Sequence, residues 1–348
     1  MARIALEPIG EEIDCGEDET VLDAAFRQGW SLAHGCREGQ CSACKAYLLQ
    51  GEVTLKPYST FALSETEEEQ GYTLLCRAMP DDEEVTVELL HFDPDNLRLD
   101  VPIRDGRAKV VELREMTHDI TRLVLEVLEP ADFEFHPGHY VDLHVPGAEG
   151  ERRSFSMANL PDTTPARLEL IIKRYPGGKI SGLLEHGIEV GTELDFTGPY
   201  GTFGLRDGDG PVLMIAGGSG MAPQLGLLRE LVRIGSPREV RFFYGARTQA
   251  DLFDLDLVEE LGAQLADFRF VPVLSDEAWD GATGFVHDVA DEHLKQHGTP
   301  DDLGAYLCGP PPMVDAALEM LTDVHGVDEQ RIHYDKFTTT AAADGAAA

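Results

Sequence analysis

The alternation of hydrophobic and polar positions changes character twice along the chain and marks three blocks and a short tail. Residues 1–95 carry short period-two runs and one helix-like stretch, 20–28, in which Val21, Leu22, Ala25 and Phe26 fall on one apolar face. Thr20 is the expected N-cap, because its side-chain oxygen can accept a free amide of the first turn. The run 85–89 alternates like a closing strand, while 67–69 is simply acidic. From 93 to 106 the composition turns to Asp, Pro, Asn and Gly without periodicity, which predicts a connection between domains. The second block, 104–207, holds strand-like runs at 123–127, 140–145 and 168–172 separated by turn residues, the pattern of an antiparallel barrel. In the third, 209–337, apolar strands at 212–216, 240–244 and 306–308 alternate with helix-like segments such as 224–232. That alternation predicts a parallel sheet with helices on both faces. Residues 338–348 lack a core-forming pattern and read as a loose tail, and no internal repeat is present.

The chain has 348 residues, and 64 Asp and Glu against 28 Lys and Arg give a formal net charge of −36. Such a charge repels phosphate backbones and anionic lipid headgroups, so neither nucleic acid nor a membrane surface is an expected partner. No run approaches the roughly 18 uninterrupted apolar residues of a spanning helix. The first ten residues hold Arg3 and Glu7 instead of an apolar signal core, so a cytoplasmic location is expected. In that reducing compartment six cysteines point to metal or redox chemistry before disulfides.

Cys36, Cys41 and Cys44 have the spacing C-x4-C-x2-C and Cys76 follows after a long gap, the plant-type arrangement for a 2Fe-2S cluster. Gly35, Gly39, Ser42 and Ala43 let the backbone wrap closely and aim N–H groups at the sulfurs, and Arg37 and Arg77 add positive charge. A structural zinc site also takes four thiolates, but usually as two tight C-x2-C pairs, and only one such pair exists here. Cys15, without partner spacing, reads as a core or surface thiol.

Arg153-Ser154-Phe155-Ser156 offers a guanidinium for a pyrophosphate, a ring for stacking and a hydroxyl for a ring nitrogen. Lys173 and the helix start Gly178-Lys179-Ile180-Ser181 can hold phosphate, and Phe135-His136-Pro137-Gly138-His139-Tyr140 lies upstream. His136, His139 and His144 do not make a metal set, because strand alternation sends His139 and His144 to opposite faces. Gly217-Gly218-Ser219-Gly220-Met221-Ala222-Pro223 follows an apolar strand and precedes a helix, where glycines let phosphates approach backbone amides. Cys308-Gly309-Pro310-Pro311-Pro312-Met313 follows a late strand at the ligand edge of the sheet. For Cys308 the alternative is a buried thiol at a strand end.

These motifs resemble those of the flavin reductases of the ferredoxin-NADP reductase superfamily. Its flavin motif reads Arg-x-Tyr/Phe-Ser after a Pro-Gly-Gln-Tyr turn, and its nucleotide loop reads Gly-Gly-Ser/Thr-Gly-x-Ala-Pro. Phe155 stands where many members have Tyr, and His139 where many have Gln. The resemblance implies an α/β and β multidomain fold: a β-grasp ferredoxin domain at 1–95, an antiparallel flavin-binding β-barrel at 104–207 and a parallel-sheet nucleotide-binding α/β domain at 209–337. It assigns Arg153 to the pyrophosphate of FAD, Phe155 to stacking on the isoalloxazine and Ser156 to a hydrogen bond at N5, with Ser154, Lys173, Gly178 and Ser181 as companions. Gly217, Gly218, Gly220, Ala222 and Pro223 fall to the nicotinamide nucleotide, and Cys308, Gly309 and Pro310 flank its reacting ring, so Ser156 and Cys308 are the residues at the reacting atoms. Members that take NADPH usually carry Ser-Arg after the strand corresponding to 270–274. Here Ser275-Asp276-Glu277 sets two carboxylates against a 2′-phosphate, which favours NADH, while Arg247 keeps NADPH open.

The order ferredoxin, flavin, nicotinamide resembles reductase components of bacterial multicomponent oxygenases, above all those of soluble di-iron monooxygenases acting on methane, propane and alkenes. In that family an aromatic near the carboxyl terminus can lie by the flavin, which makes Phe337 a candidate, with plain packing as the alternative. The resemblance implies a reductase that moves electrons from NADH through FAD and the cluster to a separate hydroxylase component, with no side chain acting as acid, base or nucleophile. The reductase of a Rieske ring-hydroxylating dioxygenase shares the layout. A redox-responsive binding protein would keep the cluster and flavin, but the intact glycine loops count against it. The first 100 residues hold 22 acidic and 7 basic side chains, which suits either docking to a basic patch on the hydroxylase or a generally solvated acidic surface.

Overall fold

The computed structural model describes residues 1–92, 97–148, 150–161 and 164–337. The tail at 338–348 and the boundary placed at residue 95 lie outside them. The described chain divides into two compact units, Met1–Ile103 and Arg104–Phe337.

In the first unit, Ala2–Glu7 pairs antiparallel with Glu11–Cys15 on one side and parallel with Glu84–Leu89 on the other. Lys45–Gln50 and Tyr72–Leu74 extend this five-stranded sheet, giving the β-grasp order. The helix Val21–Arg27 buries Val21, Leu22, Ala24, Ala25 and Phe26, and Thr20 caps it by accepting from Asp23 N (3.2 Å). Thr20→Ala is expected to destabilise this unit by about 1 kcal/mol, read as a lower denaturation midpoint in urea. The stretch expected to be a connection is partly built in. Ser31 N donates to Leu97 O (2.9 Å), Leu99 N donates to Gly29 O (3.0 Å), and the Arg98 guanidinium lies 3.4 Å from the centre of the Trp30 ring. Polar composition concealed this anchoring, because the contact is a cation over a ring rather than an apolar face.

In the second unit, six antiparallel strands run in the order Arg152–Ser156, Tyr140–His144, Glu193–Tyr200, Arg104–Glu115, Ile120–Glu129, Arg167–Lys173. Just past Ser156 the chain meets the far edge, where Ala158 N donates to Glu169 O (2.8 Å), so the sheet closes on itself as a barrel does. Leu123, Leu125, Val141, Leu143, Leu168, Leu170 and Phe196 fill it. Then follows an all-parallel sheet with Val212–Gly217 near its centre. Glu239–Ala246, Asp267–Leu274 and Ala282–Thr283 extend it one way, and Gly304–Gly309 and Ile332–Lys336 the other. The chain order therefore reverses between Val212–Gly217 and Gly304–Gly309, and that switch point is where such sheets take ligands.

Barrel and sheet read as separate blocks in the sequence but share one hydrophobic cluster. Ile120, Ala158, Ile171 and Phe203 pack with Met214, Ala216, Met221, Leu225 and Tyr306. On the opposite sheet face, Val286, Ala290 and Leu294 pack with Val314 and Ala317. Among the described residues no helix is long and apolar enough to cross a membrane.

Candidate functional site

In the first unit the four cysteines gather from the loop before Lys45–Gln50 and the turn after Tyr72–Leu74, and none is in a disulfide. Arg37 and Ser42 hold left-handed backbone (φ 56° and 57°), which a residue with a Cβ adopts at a cost. This turns amides inward: Cys36 N donates to Cys41 Sγ (3.2 Å), and Glu38 N and Gln40 N donate to Cys36 Sγ (3.4 and 3.2 Å). The thiols form two hydrogen-bonded pairs, Cys36 with Cys41 and Cys44 with Cys76. The bond from Cys41, helped by the amides of Gln40 and Glu38, pulls the Cys36 thiol below its ordinary pKa against the effect of burial. Cys76 does the same for Cys44, while Cys41 and Cys76 are pushed up by these shared bonds and by burial. Two pairs suit a 2Fe-2S cluster, whose irons each take two of the four thiolates, better than a zinc ion, which draws four sulfurs around one centre. Arg77 Nε is buried without a hydrogen-bond partner among the described residues, a donor suited to a negatively charged group. Cys15 is a core thiol: it donates to Glu19 O (3.4 Å), and burial, then the Glu19 charge, push its pKa up to about 11.

In the second unit, pairing sets Ser156 opposite Tyr140, Phe155 opposite Val141 and Ser154 opposite Asp142. Alternation puts Arg153 and Phe155 on one face and Ser154 and Ser156 on the other. Ser156 is buried, Phe155 rests partly exposed against the barrel core, and Ser154 donates its hydroxyl to Asp142 (2.7 Å). Arg153 donates to Arg152 O (2.7 Å) and lies 3.6 Å from Glu151. Lys173 pairs with Asp119 (2.7 Å). Ser181 Oγ accepts from Tyr175 N (2.8 Å), closing the turn at Gly178 that starts the helix Lys179–His186.

The nucleotide loops meet at the switch point. Gly217, Gly218 and Gly220 form a tight turn into the helix Met221–Arg233, which opens with Ala222 and Pro223. A Cβ on Gly220 would stand 2.2 Å from Cys308 O, so only glycine allows the two loops this approach. Phe337 N donates to Gly309 O (2.9 Å), which brings the late aromatic to the same edge, next to Pro310. Cys308 is fully buried in the cluster shared by barrel and sheet, and burial holds its thiol far above the ordinary range, hence neutral. A Cβ on Gly226 of the same helix would stand 3.2 Å from Met157 O, next to Ser156, so the flavin strand and the nucleotide helix touch through their backbones. On the outer rim Asp276 N donates to Arg247 O (2.9 Å), and Glu277 accepts from Gln249 N and Nε2 (2.8 Å each).

The family of 2Fe-2S iron-sulfur cluster binding domains matches residues 4–81, that of oxidoreductase FAD-binding domains 107–204 and that of oxidoreductase NAD-binding domains 214–319. The reductase component of propane 2-monooxygenase from Rhodococcus jostii (strain RHA1) is 51% identical, over 97% of this chain and 92% of the relative. The chain belongs to the family of monooxygenase reductase components. Solved reductase structures share the fold over nearly the whole chain. The crystal structure of an Amycolatopsis cytochrome P450 reductase matches the reductase with TM-score 0.85 at 34% identity, over 97% of this chain and 99% of the other. The ferredoxin reductase in carbazole 1,9a-dioxygenase matches with TM-score 0.80 at 31% identity, over 97% and 98%. The reductase is thus an oxidoreductase that works with NADH, FAD and a 2Fe-2S cluster.

Three side chains of the reductase belong to this region without belonging to any motif. Tyr244, fully buried, donates its hydroxyl to Gly218 O (3.1 Å) and so holds the first nucleotide turn. Gln224 donates to Tyr306 O (2.7 Å) and Ile215 O (3.4 Å), tying the two strands that border the switch point. Tyr200 stacks on Tyr140 with ring centres 5.6 Å apart. The available signal was a hydroxyl or amide among apolar neighbours, which costs free energy unless it finds a partner.

Proposed function

We propose that the reductase serves an oxygenase of the propane 2-monooxygenase type, the soluble di-iron class, with NADH as donor and the hydroxylase component as acceptor. The 51% identity across nearly the whole chain carries this reading, against 34% and 31% for the P450 and carbazole dioxygenase reductases. When bound, the flavin takes hydride as an electron pair and the 2Fe-2S group releases electrons singly. The chain contributes placement. Ser156 offers its buried hydroxyl to the flavin ring, while Arg153 and Lys173 offer cationic groups to its phosphates. Gly217, Gly218 and Gly220 present the helix-start amides to the nucleotide phosphates. Cys308 adds a neutral, polarisable wall that keeps water from the reacting ring. Asp276 and Glu277 repel a 2′-phosphate, which sets the preference for NADH over NADPH.

The deciding experiment is an anaerobic visible spectrum of the purified protein mixed with NADH or NADPH. A second assay follows with the Rhodococcus jostii (strain RHA1) propane 2-monooxygenase lacking its own reductase. Flavin and iron-sulfur absorption should bleach quickly with NADH and slowly with NADPH, and NADH consumption should become propane-dependent. Added salt should weaken the coupling if the acidic first block docks on a basic face. Bleaching without propane turnover would remove the propane-type assignment. The match to the carbazole dioxygenase reductase makes a ring-hydroxylating dioxygenase a further acceptor to try.

A further inference from the structure

Four charged side chains lie between the barrel and the nucleotide-binding sheet, and none is needed for the placement described above. Arg122 and Glu169 come from the barrel strands Ile120–Glu129 and Arg167–Lys173. Arg229 belongs to the helix Met221–Arg233, and Asp254 precedes the helix Leu255–Gly262. Their side chains are 9%, 15%, 18% and 6% exposed, in that order. Arg122 Nε lies 3.1 Å from Glu169 Oε1, and Arg122 Nη2 bonds Asp254 Oδ2. Arg229 Nη1 lies 3.0 Å from Glu169 Oε2 and donates to Ala158 O (2.5 Å). Two positive and two negative charges make the group neutral as a whole. Buried ion pairs of this kind add little net stability over apolar residues of the same volume, and registration is their best-attested use. Asp254 also holds left-handed backbone (φ 57°), an arrangement that the surroundings must enforce.

Each end of this quartet is close to a cofactor loop. Arg229 shares its helix with the turn at Gly220, and the Ala158 carbonyl it grips lies two residues beyond Ser156. Asp254 adjoins Phe253, whose ring meets Tyr244 edge-on (5.9 Å), and Tyr244 in turn holds Gly218. We propose that Arg122, Glu169, Arg229 and Asp254 are positioning residues for hydride transfer: they fix how the nucleotide loops face the flavin strand, so breaking the quartet slows the transfer without weakening NADH binding. The proposal rests on the reading that NADH reduces a flavin held in this unit.

Asp254→Asn removes one charge at constant volume, and Arg122→Lys keeps the charge balance but cannot fork to two carboxylates. In anaerobic rapid mixing, each variant should lose about tenfold to a hundredfold in the limiting rate of flavin bleaching, the cost of roughly an ångström of misplacement. The NADH dissociation constant from the same traces should stay within about twofold, the signature of an interaction that matters only in the transition state. A second readout uses the apoprotein. Amide exchange should quicken in Arg167–Lys173 and Met221–Arg233, with Ala2–Glu7 as the internal reference. Unmodified bleaching rates in a folded variant, a loss that saturating NADH restores, or unaltered exchange would each overturn the proposal. If Asp254→Asn does not fold, Arg122→Lys carries the test. If NADH fails to bleach the unmodified protein, the functional reading falls instead, and the exchange measurement still decides whether the quartet holds barrel and sheet together.

Discussion

Cys41→Ser is expected to give a reductase whose flavin absorption NADH still bleaches at the unmodified rate, while electron delivery to the hydroxylase or to any one-electron protein acceptor falls to background. The Cys41 sulfur sits between a thiol partner, Cys36, and the Cys36 amide, in a loop whose left-handed residues leave little room to adjust. A serine oxygen is hard, shorter in reach and protonated, whereas iron-sulfur ligation needs soft thiolate. Loss of outer contacts to a metal site already costs about tenfold to a hundredfold, so loss of a ligand should exceed that range. The flavin and nucleotide residues belong to the other compact unit, Arg104–Phe337, which has its own core, so their assembly does not require the cluster loop. Iron content and the visible spectrum report the first half of the prediction, and rapid mixing with NADH the second. If flavin bleaching vanished in folded, FAD-loaded protein, the order of transfer from nicotinamide to flavin to cluster would be wrong.

The parts of this molecule that were legible in the sequence are those where chemistry admits few residues. Four thiols at fixed spacing, Arg153 to Ser156, and a glycine turn between strand and helix can be recognised one position at a time. The parallel sheet was legible because its central strands, Val212–Gly217 and Gly304–Gly309, are buried at every position and so read as continuous apolar runs. The single core common to barrel and sheet was not. Ile120 and Phe203 meet Met221 and Leu225 across long sequence separations, and each looks like ordinary apolar filling of its own block. The acidic stretch Glu65–Glu69 hid a helical turn: Ser64 Oγ accepts from Glu67 N (3.3 Å) while Glu67 Oε2 accepts from Ser64 N (2.9 Å). That capping box was present as a Ser-x-x-Glu pattern but had no apolar periodicity behind it, since no residue of the turn is buried. Tyr244 and Asp254 were illegible for a related reason. What they do depends on partners far along the chain, Gly218 and Arg122, and nothing local distinguishes them from a core aromatic and a surface acid.

Gly220→Ala is the second substitution expected to have a large effect, and it isolates loop approach from backbone conformation. Gly220 sits at φ −58° and ψ −11°, a conformation that alanine adopts freely, so no strain of its own accompanies the change. What the new methyl meets is backbone: Cys308 O at 2.2 Å, Cys308 C at 2.6 Å and Gly309 N at 3.0 Å. None of these can swing aside as a side chain would, because Cys308 and Gly309 are fixed in the ladder between Val212–Gly217 and Ile332–Lys336. Reaching an ordinary contact requires the turn to move off the Cys308 loop by about an ångström or more, a displacement that costs on the order of a hundredfold in rate where reacting atoms must align. Because the same turn presents amides to the nucleotide, its affinity for NADH should fall together with the limiting rate of bleaching, in contrast to the rate-only loss expected at Asp254. FAD content and the iron-sulfur spectrum should stay as in the unmodified protein, which separates the effect from misfolding. Unchanged affinity and rate in such a protein would mean that the two loops, despite their contact, do not act as one site.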